Sequence, residues 1–182
     1  MRSQRSIIVL VALVWGLVFG HVVYADTAKE YYRSGLHYGE IGRFSDAIAA
    51  LTKAIAIDPT YARAYNNRGV VYYKQGDMTH AIFDFAEAIE IDHRYADPYC
   101  NLGLAYVKQG DLELAIANFS NAIELNPAFA KAYASRAAAY LMIKEYDKAW
   151  VDVHKAEELK HVFSPGFLED LKKASGRDKN EK

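Results

Sequence analysis

The chain repeats itself with a period of 34 residues, and this period limits the fold more than any other feature of its 182 residues. In four consecutive blocks, 28–61, 62–95, 96–129 and 130–163, small and aromatic residues recur at fixed positions. Position 8 is occupied by Gly35, Gly69, Gly103 and Ala137; position 11 by Tyr38, Tyr72, Tyr106 and Tyr140; and position 20 by Ala47, Ala81, Ala115 and Ala149. Self-similarity over this length is typical of arrays in which each unit buries its apolar face against the next.

The spacing inside a block predicts two helices joined by a short turn. Positions 4, 8 and 11 share one face of a first helix, and positions 20, 24 and 27 share one face of a second. Small residues at positions 8 and 20 let the two backbones approach closely. Position 15 is glycine in the first three blocks (Gly42, Gly76 and Gly110), and glycine there predicts the end of the first helix. The fourth block has Lys144 at this position. Proline follows the second helix in blocks one and three, and histidine (His93, His161) takes its place in blocks two and four.

These positions resemble the tetratricopeptide repeat family over residues 28–163. The sequence departs from the family pattern at Ser34, Arg68 and Arg136, where Leu is preferred, and at Ala137, where Gly is preferred. The resemblance implies an all-α, right-handed α-α superhelical solenoid whose first helices line a concave groove. The short apolar face within 165–174 predicts a capping helix for the last repeat, followed by a flexible polar tail over 175–182.

The first 25 residues are typical of an export signal. Arg2 and Arg5 precede an apolar run from Ile7 to Gly20, and Ala25 ends a small-residue pattern before Asp26, which predicts cleavage between them. A retained membrane anchor is the alternative, since the run extended to Tyr24 reaches the lower limit for a bilayer-spanning helix. Either interpretation places the rest of the chain outside the cytoplasm, in the periplasm or secreted, or anchored in the membrane.

The composition and the absence of recognised motifs argue against enzymatic catalysis, metal binding and nucleic-acid binding. A net charge of -1 offers no general attraction to nucleic acid. The single cysteine, Cys100, excludes an intramolecular disulfide framework and a Cys-rich zinc site. The six histidines form no metal-binding pair, and no nucleophile, base and orienting group converge in a recognised motif. We therefore expect no enzymatic activity, no cofactor and no metal.

Charged residues co-occur at two positions of alternate blocks. Arg68 and Asp84 stand at positions 7 and 23 of block two, and Arg136 and Asp152 at those of block four, whereas the other two blocks have neither charge. This co-occurrence predicts a structural ion pair inside each of these repeats, because a partly buried charge needs a partner. Anion binding by the arginines is the alternative.

The candidate ligand surface comes from the family resemblance, which places certain first-helix positions on the inner face. An inner asparagine in such repeats resembles a clamp for the backbone of an extended peptide, although an ordinary solvated asparagine is the competing interpretation. Basic and aromatic side chains surround it, and a merely solvated lysine face is again the alternative. The candidate residues are Asn67, Asn101, Arg63, Lys74, Lys108, Lys131, Tyr32 and Tyr73. A variety of the family that clamps a terminal carboxylate is only partly matched, since Asn101 and Lys131 fit but Val70 and Ser135 do not.

The resulting hypothesis is a non-catalytic scaffold or adaptor that binds a peptide or protein segment in the groove. The basic groove predicts a ligand with acidic residues and apolar anchors. A self-associating structural protein of the cell envelope is the alternative, because open-ended repeat stacks can associate head to tail.

Overall fold

The computed structural model of the protein describes residues 27–177, which form nine α-helices and no strand. The helices are α1 (27–40), α2 (Phe44–Ile57), α3 (Ala62–Gln75), α4 (Met78–Ile91), α5 (Ala96–Gln109), α6 (Leu112–Leu125), α7 (Ala130–Met142), α8 (Tyr146–Glu158) and α9 (Pro165–Ser175). From α2 onward each helix contacts the next, and α5 also contacts α3 and α7. The predicted all-α superhelical solenoid is confirmed. None of the helices in the described range is long and apolar enough to cross a membrane.

Two of the sequence predictions fall outside this range. The predicted signal or anchor over 1–25 lies outside the described residues, and so does most of the predicted tail, from 178 to 182.

The first helix of each repeat ends in the left-handed backbone conformation. Gly76 and Gly110 follow α3 and α5 with φ of 84° and 90°. Lys144 adopts the same conformation after α7, with φ of 64°, although it carries a side chain. The geometry of the turn is therefore imposed by the repeat, and the fourth repeat keeps it with a residue that is poorly suited to it.

The second helices of the first three repeats end in a side-chain turn that does not need proline. Asp58, Asp92 and Asn126 each accept a hydrogen bond from the backbone N–H two residues further on, at 3.0, 3.0 and 3.1 Å. Pro59 follows the first of these and His93 the second, yet the capping geometry is the same. The acidic or amide side chain, rather than the proline, is the feature that these turns share.

Inside each repeat, the small residue at position 8 packs against the large residue at position 24. A Cβ atom added to Gly69 would lie only 2.7 Å from Cε1 of Phe85, and 3.2 Å from the carbonyl oxygen of Ala81. In the fourth repeat Ala137 has a Cβ, and the smaller Val153 at position 24 makes room for it; both are fully buried. The volumes at the two positions compensate each other, as close packing requires.

The last helix, α9, covers the open end of the stack. Leu171 is fully buried in a cluster with side chains of α7 and α8. Trp150 Nε1 donates a hydrogen bond to Ser175 Oγ at 3.1 Å, and Arg177 lies 2.7 Å from Asp147. The cap therefore extends one residue beyond the predicted 165–174, and two residues assigned to the flexible tail are tied to α8.

Candidate functional site: the inner groove

Three adjoining cavities lie along the face formed by the first helices of the repeats. The N-terminal cavity, of about 160 Å³, lies between α1 and α3. The central cavity, of about 180 Å³, is lined by α3, α5 and α7, and the C-terminal cavity, of about 360 Å³, by α5, α7 and the segment 161–167. Val70 and Lys74 border both the first and the second, and Leu104 and Lys131 border both the second and the third. Together the cavities form one continuous surface, the inner groove.

Five of the eight candidate residues line this groove. Tyr73, Lys74, Asn101 and Lys131 surround the central cavity, and Asn67 joins Lys74 in the N-terminal one. Their neighbours in the central cavity are apolar (Val70, Phe85, Leu104). The groove thus combines amide and ammonium groups with an apolar floor.

The other three candidates lie outside the linings of these cavities. Arg63 and Lys108 are exposed. Tyr32 is half-buried; its ring packs 4.9 Å from that of Tyr61, and its hydroxyl accepts a hydrogen bond from Asn67. Tyr32 therefore contributes by holding Asn67 rather than by lining a cavity.

The inner asparagines link neighbouring repeats. Asn67 Nδ2 donates to Tyr32 Oη at 3.1 Å and to the Arg63 carbonyl oxygen at 2.8 Å. Asn101 Nδ2 donates to Asn66 Oδ1 at 2.9 Å. Each side-chain amide has two N–H donors, so both donors of Asn67 are used, while Asn101 keeps one. The two asparagines occupy the same position in their repeats, but only Asn101 has a side-chain N–H left for a ligand.

A buried asparagine lies next to these two and is not among the residues predicted from the sequence. Asn66 is 5% exposed, accepts the bond from Asn101, and donates to Tyr95 Oη at 3.1 Å. Burial raises the pKa of Tyr95 to about 12. The signal in the sequence is a pair of adjacent asparagines, Asn66 and Asn67, which only the fold separates into a buried and a groove-facing residue.

The charge of the groove has one sign over most of its length. Neither the central nor the C-terminal cavity is lined by an Asp or a Glu. Lys74 and Lys131 border them, and within residues 27–177 neither lysine forms an ion pair. Glu40 lines the N-terminal cavity. Unpaired ammonium groups beside apolar surface favour a ligand that brings its own carboxylates.

The charged pairs at positions 7 and 23 lie away from this groove. Arg68 donates from Nε and Nη2 to both carboxylate oxygens of Asp84 at 2.8 Å, and from Nη1 to Thr52 Oγ1 in the preceding repeat at 2.9 Å. The pair is nearly buried, with side-chain exposures of 14% and 1%. Burial raises the pKa of Asp84, and the hydrogen bonds from Arg68 oppose this rise. The guanidinium of Arg68 and the carboxylate of Asp84 are therefore paired with each other inside the repeat.

The same arrangement recurs in the fourth repeat. Arg136 donates to both oxygens of Asp152 at 2.7 and 2.8 Å, and to Ser120 Oγ at 2.8 Å. Each network joins three helices and two repeats, so these arginines link neighbouring repeats.

No group of three or more His, Cys, Asp or Glu side chains that could hold a metal ion occurs within residues 27–177. Cys100 is fully buried, and burial raises the pKa of its thiol to about 11. A buried thiol with a high pKa is a packing residue and not a nucleophile.

Comparisons with known families identify the repeat. A family model described as TPR repeat matches residues 35–76 and 72–110, and two described as Tetratricopeptide repeat match 96–129 and 118–151. The comparison with curated proteins finds no match.

Solved structures give the same result. A crystal structure of MamA is 32% identical, covers 78% of this chain and 84% of its own, and superposes with a TM-score of 0.68. PilF of Pseudomonas aeruginosa is 23% identical, with coverage of 83% and 68% and a TM-score of 0.74. The first TPR of Spaghetti (RPAP3), solved bound to the HSP90 peptide SRMEEVD, is 23% identical, with coverage of 65% and 94% and a TM-score of 0.64.

Proposed function

The chain belongs to the tetratricopeptide repeat family, and from that premise we propose that it is a non-catalytic scaffold that binds a peptide or protein segment in the inner groove. The observation that carries the proposal is the set of three adjoining cavities, in which Lys74 and Lys131 have no ion pair within residues 27–177 and lie beside apolar side chains. A concave surface with a few polar groups on an apolar floor is the usual form of a binding site.

The ligand in this proposal is an acidic segment with apolar side chains. Its carboxylates pair with Lys74 and Lys131, and its apolar residues bury against Val70 and Leu104. The peptide bound in the Spaghetti (RPAP3) structure, SRMEEVD, contains both residue types, which supports the same chemistry here. Long-range attraction between the lysines and an acidic segment speeds association more than it tightens the complex.

Asn101 is the amide that we assign to the ligand backbone. It lines the central cavity and donates one N–H to Asn66, so its second N–H and its carbonyl oxygen point to a role in binding an extended chain. Asn67 donates both side-chain N–H groups to Tyr32 and to the Arg63 carbonyl oxygen, so only its side-chain oxygen is left to accept a hydrogen bond from a ligand.

The test uses a library of random short linear peptides selected on the purified protein, followed by fluorescence anisotropy with the best peptide. We expect the selected peptides to be acidic, and their affinity to fall as salt rises, because exposed charges are screened over about 8 Å at physiological ionic strength. Lys74→Glu with Lys131→Glu should weaken binding at least tenfold. Lys53→Glu with Lys173→Glu makes the same change in net charge at exposed positions outside the groove and serves as the control.

Two results would overturn the proposal: no peptide enriched by selection, or a selected peptide that binds the groove variant as tightly as the wild type. Light scattering over a concentration series, with and without peptide, detects the alternative of self-association.

We further propose that the scaffold works outside the cytoplasm. The basic start and the apolar run before Ala25 support export. When the full chain is expressed in a bacterium with its own N-terminus, the protein in the envelope fraction should begin at Asp26. Intact Met1 in the membrane fraction would instead favour an anchor, and intact Met1 in the cytosol would contradict export.

A further inference from the structure

We propose that the C-terminal cavity is the anchor site of the groove, which takes one aromatic or branched aliphatic side chain of a peptide ligand next to a carboxylate held by Lys131. This inference rests on the proposed function and makes it more specific. It fixes which part of the ligand lies at which end of the solenoid.

The cavity exists because the fourth repeat carries small residues at the inner positions. Position 9 is Leu36, Val70 and Leu104 in the first three repeats and Ala138 in the fourth. Positions 5 and 6 are Ala134 and Ser135 there, and all three small residues line the cavity. The missing side-chain volume lies directly beside Leu104 and Val107 of α5, so the space is apolar on that side as well.

The opposite wall is aromatic and comes from the segment that leads into the cap. Phe163 and Phe167 stack with ring centroids 5.1 Å apart, and the ring of His161 lies edge-on to Phe163 at 4.7 Å. All three line the cavity and remain only partly buried. A ligand ring or branched side chain would complete this cluster, since aromatic groups gain from edge and offset contacts beyond their buried area.

Size and charge indicate the chemistry of the occupant. At about 360 Å³ the cavity falls in the range of ligand sites, whereas its two neighbours are half that size or less. No Asp or Glu lines it, and Lys131 stands on the border with the central cavity, where Lys74 and Asn101 follow. An apolar residue in the C-terminal cavity therefore places the adjacent ligand residue at Lys131, which favours an acidic one.

A matched pair of variants tests the anchor. Ala138→Leu gives the fourth repeat the residue type of repeats one and three and fills the cavity. Ala117→Leu makes the same change at an exposed position of α6, outside the three cavities. Thermal melts establish that both are folded. With the peptide selected on the wild-type protein, we expect Ala138→Leu to weaken binding about tenfold or more, which corresponds to the burial of one apolar side chain, and Ala117→Leu to leave it unchanged.

The peptide supplies the second arm of the experiment. Replacing its apolar anchor by Ala should weaken binding to the wild type, but should have little further effect on Ala138→Leu, because the two changes remove the same contact. Replacing the adjacent Glu or Asp of the peptide by its amide should likewise weaken binding to the wild type. It should have little further effect on Lys131→Met, which already lacks the ammonium group.

Each outcome separates the two hypotheses. The anchor site would be overturned if the selected peptides bind Ala138→Leu as tightly as the wild type. It would also be overturned if the effects of the peptide and protein changes simply add. Both outcomes would leave groove binding intact. Failure to select any peptide would instead remove the proposed function itself.

Discussion

At the residue scale, Lys144 shows how the repeat geometry overrides local preference. Its φ of 64° is the conformation that Gly42, Gly76 and Gly110 adopt in the other repeats, with φ of 76°, 84° and 90°. Residues with a Cβ are strained there, since the left-handed region costs roughly 1–2 kcal/mol. The fourth repeat therefore contains a local strain that the first three avoid.

Lys144→Gly should relieve this strain. We expect the free energy of unfolding to rise by about 1 kcal/mol, less than the full strain because glycine also gains freedom in the unfolded chain. Chemical denaturation followed by circular dichroism measures the change. The control is Lys53→Gly at an exposed interior position of α2, which should lower stability by about 1 kcal/mol. A loss of stability in Lys144→Gly would contradict the interpretation.

Tyr95 and Cys100 make the fold sensitive to alkali. Burial raises the pKa of Tyr95 from 10.0 to about 12 and that of Cys100 from 9.0 to about 11. As the pH rises through these intervals, the unfolded chain loses a proton that the folded chain keeps, so stability falls with pH. Well below pH 9.0 both groups keep their protons in the folded and the unfolded chain, so neither contributes to the slope.

Urea midpoints measured from neutral pH to about pH 12 should therefore decline from about pH 9 onward. Cys100→Ala should flatten the lower part of this decline, and Tyr95→Phe the upper part. A flat profile over the whole interval would mean that neither group is buried in solution.

At the element scale, the Arg68–Asp84 network joins α2, α3 and α4. Thr52, Arg68 and Asp84 come from three successive helices, and the geometry repeats in α6, α7 and α8 with Ser120, Arg136 and Asp152. Each network ties a repeat to the one before it. The interface between repeats two and three has no such network among the described residues, because position 7 is Leu102 in the third repeat.

A comparison of a single with a double variant tests the network. Asp84→Ala should lower the free energy of unfolding by about 3–5 kcal/mol, because it leaves Arg68 charged and nearly buried without a partner. Arg68→Leu with Asp84→Asn copies the residues of repeat three, Leu102 and Asn118, and should cost clearly less than the single change. Asp46→Ala, which breaks the exposed pair with Arg43, should cost under about 1 kcal/mol. A double variant that is as unstable as Asp84→Ala would argue against a buried pair.

At the scale of the whole molecule, stability depends on closing the ends of the stack. Each repeat buries its apolar face against the next, so the last one needs a cover, and α9 supplies it through the fully buried Leu171. Phe163, just before α9, and Phe167, in its first turn, form the aromatic wall of the C-terminal cavity. Capping and the proposed ligand anchor are thus built from one piece of chain.

Leu171→Ala should lower the free energy of unfolding by about 2–5 kcal/mol, through lost burial and the cavity left behind. Because repeats contact only their neighbours, amide hydrogen exchange should speed up most in α7 and α8 and least in the N-terminal repeats. Val162→Ala is the control, since Val162 is 87% exposed and should change stability by less than about 0.5 kcal/mol. Uniform acceleration along the chain would contradict a local role of the cap.

The sequence alone indicated the number of repeats, the two helices in each and their family, because each of these depends on small and aromatic residues that recur 34 positions apart. It also predicted the Arg–Asp pairs, which the structure contains, since charges that appear together at two facing positions need each other. Pairs of this kind can be predicted because both partners lie in the same repeat.

The contacts between neighbouring repeats, and those with the cap, became visible only in the folded chain. The tertiary structure separated Asn66 from Asn67, used both N–H groups of Asn67 internally, and brought Phe163 and Phe167 to the space left by Ala138. These features depend on contacts between neighbouring repeats and with the cap, and such contacts are set by packing in three dimensions. A period in the sequence carries no information about them, which is why the largest cavity of the groove was found only in the folded chain.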